Sequence, residues 1–272
     1  MYYLILARWF NVFITFLVVV LGGVYSGIVI PGKNIFIAAV SASFISAGGN
    51  AVNDYFDYEI DRLNKSFRPL PSGKITRENA LIFWFSVNLT GLVLSLFINS
   101  SAFLIALFAV VFLYIYSSHE KNRILTGNLL VSILSGMAFL YSGVAAGSLY
   151  GVIIPAVFAF LFHFGREIIK DMQDMDADSA GNAITFPVKY GKNNAVILTG
   201  IAFFVLILFT LIPYLYLDYS KTYLLIVLFG VDIVLMVVYI LLILNKTETN
   251  LRRLSAVLKA DIFIGLTALL FK

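Results

Sequence analysis

Two stretches of this 272-residue chain carry polar side chains at spacings that could do chemistry together. The first reads Asn50-Ala-Val-Asn53-Asp54-Tyr-Phe-Asp57-Tyr-Glu59-Ile-Asp61-Arg62-Leu-Asn64-Lys65, then Ser-Phe-Arg68-Pro69-Leu-Pro71-Ser72-Gly73. The second reads Arg166-Glu-Ile-Ile-Lys170-Asp171-Met-Gln-Asp174-Met-Asp176-Ala-Asp178. On a helix, Asn53, Asp57 and Asp61 stand four residues apart and form one stripe, and Asp171, Asp174 and Asp178 likewise share one face. Like charges at that spacing destabilise a helix unless something positive sits between them. Two such stripes facing each other on neighbouring helices would offer many hard oxygen ligands. That donor set suits Mg²⁺, which completes its octahedron with substrate phosphate oxygens and water. The chemistry implied is metal–diphosphate binding. One acidic cluster at a helix end reads most simply as a solvated end; two with matched spacing, each flanked by Arg and Lys, argue for more.

The elements that must position these residues repeat. Asp57 to Asp174 and Asp61 to Asp178 are both separated by 117 residues, and Pro71 and Gly73 meet Pro187 and Gly191 at 116 and 118. Each acidic segment is followed by a basic loop containing Pro and Gly and then by another apolar run, the order expected of a worn duplication. The chain is therefore read as one domain, 1–272, with halves near 1–117 and 118–244 and a last helix added. Pro69 and Pro71 cannot continue a helix, so the first segment is expected to be helical only to about Asp61.

Composition places these elements in a bilayer. The sequence is 61% hydrophobic and 12% charged, where soluble domains are about a quarter charged, and its mean hydropathy is +0.95. A span needs about 20 apolar residues, which predicts an all-α polytopic protein with nine transmembrane helices around a central cavity. They fall near 9–30, 34–57, 79–98, 102–117, 127–149, 152–170, 194–216, 222–244 and 255–271. No run alternates with period two, against a barrel, and 9–30 lacks a small-residue cleavage site and reads as a retained helix. With the N-terminus cytoplasmic, 16 of 19 Lys and Arg fall inside and only Lys33, Lys221 and Lys272 outside. Twelve of 15 acids lie on the same side, Asp218, Asp232 and Asp261 being the exceptions. The absence of cysteine excludes a disulfide framework and a catalytic thiol. Two histidines, His119 and His163, argue against a zinc site, and a net charge of +4 gives no basis for a nucleic-acid partner.

These residues resemble the UbiA superfamily of intramembrane prenyltransferases, which attach polyprenyl chains from diphosphate donors to small acceptors. The first family motif, N-x-x-x-D-x-x-x-D, is matched by Asn53, Asp57 and Asp61. Its continuation D-R-x-N and R-P-L-P-S-G is matched by Asp61, Arg62, Asn64 and Arg68 to Gly73, and the second motif by Asp174 and Asp178. The fuller K-D-x-x-D-x-x-x-D fits Lys170, Asp171, Asp174 and Asp178; Ala177 departs from the Gly that many relatives carry. Nine helices match the family, so the resemblance spans the chain. Within the superfamily, the short length and the run Gly165–Asp171 look like the archaeal digeranylgeranylglyceryl phosphate synthases. Homogentisate prenyltransferases share the second motif, which keeps an aromatic acceptor (hydroxybenzoate, homogentisate or naphthoate type) as the alternative.

The resemblance implies a Mg²⁺-dependent transfer of a geranylgeranyl group from geranylgeranyl diphosphate to geranylgeranylglyceryl phosphate, in a cell-membrane enzyme with its site facing the cytoplasm. Asn53, Asp57 and Asp61 would hold one ion, and Asp174 and Asp178 the other. Asp54 and Asp171 are second choices as ligands or bases. Arg62, Lys65, Arg68, Lys121, Arg123 and Lys170 form the pool of cations for diphosphate oxygens. Arg8 and Asn11, with Lys121 and Arg123, are candidates for an acceptor phosphate, and Asn50 is a further candidate for substrate contact. Of 42 aromatic residues, Tyr114, Tyr116 and Tyr141 are candidates to shield an allylic cation by cation–π contact. Membrane lipid, a polyprenyl diphosphate and a lipid-like phosphate are the expected partners.

Three rivals belong to other classes. A secondary transporter concentrates its ionisable groups near the midplane, where this chain offers little beyond Asp232; replacing Asp232 would abolish transport and spare prenyl transfer. Asp232 also has a simpler reading, a carboxyl hydrogen-bonded to a neighbouring helix. A CDP-alcohol phosphotransferase needs D-G-x-x-A-R, which the chain lacks. A non-catalytic scaffold would show no Mg²⁺-dependent affinity for a diphosphate.

Overall fold

The structure is a computed structural model and describes residues 1–27, 32–118, 123–180 and 183–271. Among the described residues it is all-helical. In chain order the helices are α1 (Tyr2–Leu6), α2 (Trp9–Tyr25), α3 (Lys33–Phe56), α4 (Tyr58–Asn64), α5 (Arg77–Leu96), α6 (Ser100–Ser118), α7 (Thr126–Ala146), α8 (Ile153–Ala180), α9 (Phe186–Tyr216), α10 (Lys221–Ile226), a π-helical turn (Val227–Asp232), α11 (Ile233–Leu244) and α12 (Glu248–Ala268). Contacts divide the chain into two compact units, Met1–Lys121 with Met137–Ile153, and Asn122–Gly136 with Ile154–Lys272.

Within the described residues, each of the nine apolar runs lies largely on a helix. Among the described residues six helices are long and apolar enough to cross a membrane: α3, α5, α6, α7, α9 and the continuous stretch Lys221–Leu244. α2 is apolar but has 17 residues, and α8 and α12 carry several charged side chains along their length. Large apolar side chains such as Ile82, Phe85, Phe204 and Phe229 point outward, as a surface bathed in lipid requires and a water-soluble surface does not. The protein is a multi-pass membrane protein.

In the first unit α3 is the centre, packed against α2, α5 and α6. Its buried face is built from small residues, Ala38, Ala39, Ser41, Ala47, Gly48, Gly49 and Ala51. Helices in lipid associate by close packing rather than by burial from water, and small residues permit it. On α5, a Cβ at Gly91 would lie 3.0 Å from the Ser41 carbonyl oxygen and 2.8 Å from Ile45 Cγ1. Ser41 Oγ donates to the Gly91 carbonyl at 2.7 Å, and the Tyr141 hydroxyl from α7 donates to Ser41 Oγ at 2.9 Å. The backbones of α3 and α5 therefore touch.

The second unit is built on a larger apolar core in which Ile168, Ile169 and Met172 of α8 meet Phe203 and Leu206 of α9, Leu235 and Leu242 of α11, and Leu251 and Leu258 of α12. A Cβ at Gly165 would fall 2.5 Å from the Phe203 ring, so that ring fills the space the glycine leaves. α9 is bent at Gly191, whose φ of 83° only glycine adopts without strain; Phe186–Tyr190 form a short turn before the main apolar helix. Thr76 caps α5, accepting from the Asn79 amide at 3.2 Å.

Candidate active site

The first acidic segment straddles a helix junction. α3 ends at Phe56, and α4 runs to Asn64, three residues beyond the expected stop at Asp61, because the first residue that cannot donate a helical hydrogen bond is Pro69. The junction falls at Asp57, yet the amide of Asp57 still bonds the Asn53 carbonyl at 3.0 Å and that of Asp61 bonds the Asp57 carbonyl at 2.8 Å. The stripe of Asn53, Asp57 and Asp61 therefore survives the break as one face. Asn53 Nδ2 donates to Asp57 Oδ2 at 2.9 Å, and Asn53, Asp54, Asp57 and Asp61 are all buried.

The positive groups that such a stripe demands come from three directions. Arg68 Nη1 donates to Asp61 Oδ2 at 2.5 Å and to Asp54 Oδ1 at 3.2 Å. Arg8 Nη2 donates to the same Asp54 oxygen at 2.6 Å, and Lys65 Nζ lies 4.0 Å from Asp61 Oδ1. Asp54 thus binds two guanidinium groups. Burial raises the Asp61 carboxyl above the usual carboxylate range, with Arg68 pulling it back down. Arg68 is placed by the Pro69–Gly73 turn, which is pinned because Leu70 is buried with Leu6, Ala51, Ile75 and Ala80. Arg8 is placed by a left-handed backbone (φ 53°) ahead of α2, a conformation that costs about 1–2 kcal/mol and that a charge-assisted bond can offset. Asn50 Nδ2 donates to the Ala7 carbonyl at 2.8 Å, tying the same corner to α3.

The second acidic segment continues α8 to Ala180, so Asp171, Asp174 and Asp178 lie on one unbroken helix. Asn128 Nδ2 on α7 donates to Asp171 Oδ2 at 2.8 Å. Burial pushes the Asp171 carboxyl up to about 7, against the Asn128 bond that holds it down and with Glu167 and Asp178 adding repulsion. Glu167 is buried and accepts from Arg166 Nη1 at 3.1 Å and from Lys170 Nζ at 2.7 Å. Asp174 is half-buried and forms no hydrogen bond or ion pair among the described residues; Asp178 is also half-buried.

The other candidates are scattered. Arg62 pairs with Glu59 at 3.3 Å on the surface, Asn11 is half-buried and Arg123 exposed. Lys121 and the side chain of Asn64 lie outside the described residues. Tyr114 is 43% exposed and packs its ring against Phe56, the residue before Asp57, at 5.6 Å and against Trp84 at 5.8 Å. Tyr116 is half-buried. Tyr141 is buried, and its hydroxyl is committed to Ser41, which makes it a packing residue of the first unit. Sequence reasoning missed Asn128 and Glu167, although Glu167 stands at i,i+3 from Lys170, a spacing that signals a helical ion pair. It also missed Arg77, whose guanidinium lies 4.6 and 5.2 Å from the rings of Tyr55 and Tyr58.

Among the described residues no three acidic or histidine side chains gather as a metal cluster. The donor chemistry of each stripe nevertheless suits a hard divalent cation, being entirely carboxylate and carboxamide oxygen. Asp54, bound by two arginines, is less free to act as a ligand than Asp57 or Asp174.

Comparison with known proteins agrees with this chemistry. The UbiA prenyltransferase family profile matches residues 11–264. Proteins named digeranylgeranylglyceryl phosphate synthase are similar along nearly the whole chain: that of Thermococcus gammatolerans is 35% identical over 257 residues, covering 93% of this chain and 91% of its own. The one from Methanocaldococcus jannaschii is 38% identical over 225 residues, covering 83% and 79%. A solved structure described as giving structural and mechanistic insights into digeranylgeranylglyceryl phosphate synthase in membranes superposes with a TM-score of 0.82 at 33% identity, covering 98% of this chain and 96% of that one. The fold is also that of a UbiA homologue from Archaeoglobus fulgidus bound to DMAPP and Mg²⁺, with a TM-score of 0.68 at 19% identity and 99% coverage of both chains. The chain therefore belongs to the UbiA prenyltransferase family.

Proposed function

We propose that this protein transfers a geranylgeranyl group from geranylgeranyl diphosphate to the free hydroxyl of geranylgeranylglyceryl phosphate, releasing diphosphate, in archaeal ether-lipid synthesis. The observation that carries this reading is the buried stripe Asn53, Asp57 and Asp61 kept on one face across the α3–α4 junction, in a chain similar over most of its length to digeranylgeranylglyceryl phosphate synthases.

In this reading Asn53, Asp57 and Asp61 hold one Mg²⁺, and Asp174 and Asp178 hold a second. Bound there, the ions stabilise the charge that develops on the leaving diphosphate. The remaining work falls to the chain's own residues. Arg62, Lys65, Arg68, Lys121, Arg123 and Lys170 supply donors to diphosphate oxygens, arginine being suited to bidentate contact. Arg8 and Asn11 face the acceptor phosphate. The donor's C1–O bond breaks, the acceptor oxygen bonds to C1, and the hydroxyl proton passes to a carboxylate, Asp54 or Asp171. Tyr114, with Phe56 and Trp84 beside it, shields the allylic cation, and an apolar surround keeps water from intercepting it. A twenty-carbon tail, at about 0.8 kcal/mol per buried CH₂, is already dissolved in lipid, so the enzyme meets its donor in the bilayer.

We read the chain as one prenyltransferase domain with duplicated halves and nine spans, with the N-terminus and the site on the cytoplasmic side. The 117-residue register and the sixteen-to-three distribution of basic residues support that topology.

Turnover of detergent-purified protein with Mg²⁺ and labelled geranylgeranyl diphosphate tests the proposal, offering geranylgeranylglyceryl phosphate and, separately, 4-hydroxybenzoate and homogentisate. Transfer to the glyceryl phosphate, lost under chelator and in Asp57→Ala and Asp174→Ala, is expected. Transfer only to an aromatic ring would overturn the acceptor; no transfer and no Mg²⁺-dependent diphosphate binding would overturn the reaction.

A further inference from the structure

The chemistry above uses acids at the ends of α3 and α8 and leaves two deeply buried carboxyls without a role. Asp232, closing the π-helical turn, is 0% exposed, and Asp261 on α12 is 3% exposed. Both belong to the second unit, where the turn packs on α12 so closely that a Cβ at Gly230 would lie 2.6 Å from Ile264 Cγ2. Asp232 stands two residues beyond Gly230 and Asp261 three before Ile264, on either side of that contact.

Neither receives a proton from a neighbour. Thr210 Oγ1 on α9 lies 3.2 Å from both oxygens of Asp232, but 2.7 Å from the Ile207 carbonyl. A hydroxyl has one proton to give, and O–H···O bonds cluster near 2.7–2.8 Å. The Thr210 proton therefore goes to Ile207, and the hydroxyl turns lone pairs toward Asp232. The nearby Tyr223 hydroxyl is spent on the Thr210 carbonyl at 2.8 Å. Both Asp261 oxygens are buried with no hydrogen-bond partner, and among the described residues neither acid forms an ion pair. What results is a set of oxygens from three elements, all presenting lone pairs, with Asp232 in a strongly apolar segment, Lys221–Leu244. The helix carrying Asp232 is widened into a π turn, a distortion that recurs at functional sites.

We propose that Asp232, Asp261 and Thr210 Oγ1 line a buried site for a monovalent cation of the sodium class, sharing no residue with the acidic stripes. One such cation together with one proton neutralises the two carboxylates, as an apolar interior demands. Mg²⁺ is the poorer occupant, since it dehydrates reluctantly and keeps several waters. The occupant ties α9, the π turn and α12 together.

The test uses the intact protein in detergent, with sodium chloride compared against choline chloride at equal ionic strength. Dicyclohexylcarbodiimide converts protonated, membrane-buried carboxyls to stable acylureas, which mass spectrometry assigns to residues. At a sodium concentration about ten times the dissociation constant, the unoccupied fraction falls about tenfold, so labelling of the carboxyl that holds the cation is expected to slow by that factor, while the carboxyl that keeps the proton stays reactive. Sodium is also expected to raise the Tm of the wild type and to leave that of Asp261→Asn unmoved. Equal labelling rates in the two salts would overturn the proposal and leave protons alone to neutralise the pair, and that arm needs no variant to fold.

Discussion

Replacing Arg68 by methionine keeps much of the side-chain volume and removes the charge that joins Asp54 to Asp61. The side chains of Asp54 and Asp61 are only 5% and 3% exposed, and that of Arg68 is 21% exposed. Removing one partner of a buried pair costs about 3–5 kcal/mol, because the other charge is left uncompensated. Arg68 is partly solvated and Asp54 keeps Arg8, so the lower end applies, about 3 kcal/mol and on the order of 6–12 °C in Tm for a chain of this size. The pH dependence has a definite sign. Burial holds the Asp61 carboxyl above its unfolded value, and Arg68 is the largest opposing influence. A group raised in this way favours the folded state while protonated, below its unfolded pKa, and that contribution is lost as pH rises through the folded value. Loss of Arg68 raises Asp61 further, so the deficit of Arg68→Met should be greatest at alkaline pH and shrink as pH falls. Thermal unfolding in detergent with EDTA, followed by tryptophan fluorescence across pH, measures it. Adding Asp61→Asn to Arg68→Met should recover a good part of the loss. A variant that melts with the wild type, or a second substitution that restores nothing, would refute the account.

Other outcomes follow from the same geometry. Asp57→Ala and Asp174→Ala should each lower kcat at least about a hundredfold, the scale on which removal of a group stabilising transition-state charge is felt, and excess EDTA should do the same reversibly in a turnover assay. Asn128→Leu removes the bond that opposes the upward push of burial on Asp171, so its carboxyl rises above about 7. If Asp171 acts ionised, the acid limb of the kcat/KM profile moves to higher pH; an unmoved limb would separate Asp171 from the rate. Gly91→Ala places a methyl against the Ser41 carbonyl oxygen and should destabilise the protein by about 1–3 kcal/mol, read as a lowered Tm, with Gly91→Leu failing to accumulate.

Much of this molecule was legible because hydropathy and four-residue spacing are local. Within the described residues the nine apolar runs lie largely on helices, and the stripe Asn53, Asp57 and Asp61 is a stripe because each pair is one helical turn apart. The partners of those acids were not legible, because the Arg8–Asp54 contact joins residues 46 apart through a backbone corner that no local propensity favours. Arg68 was named as a ligand for diphosphate oxygens, and its commitment to Asp54 and Asp61 depends on the burial of Leu70. Asp232 was expected either to serve an ion or to bond a neighbouring helix; it does meet Thr210 of α9, yet the hydroxyl proton is engaged elsewhere. Asp261 was set apart from the cytoplasmic acids, and only the packing of α12 against the π turn makes it a buried companion of Asp232.

The contact between α3 and α5 has a mechanical consequence. Where helices meet through long side chains, rotamer changes let one slide or tilt past the other. Here the Gly91 backbone rests on the Ser41 carbonyl, and the Ser41 hydroxyl is locked to the Gly91 carbonyl, so little compliant material separates them. In a bilayer thicker or thinner than the one it is matched to, a lone helix adjusts by tilting. This pair must tilt as one beam, carrying the acidic stripe at the end of α3 with it. Hydrophobic mismatch would then be felt as a change in the depth at which the stripe meets the lipid headgroups, and turnover in vesicles of graded acyl-chain length should peak at one thickness rather than vary smoothly.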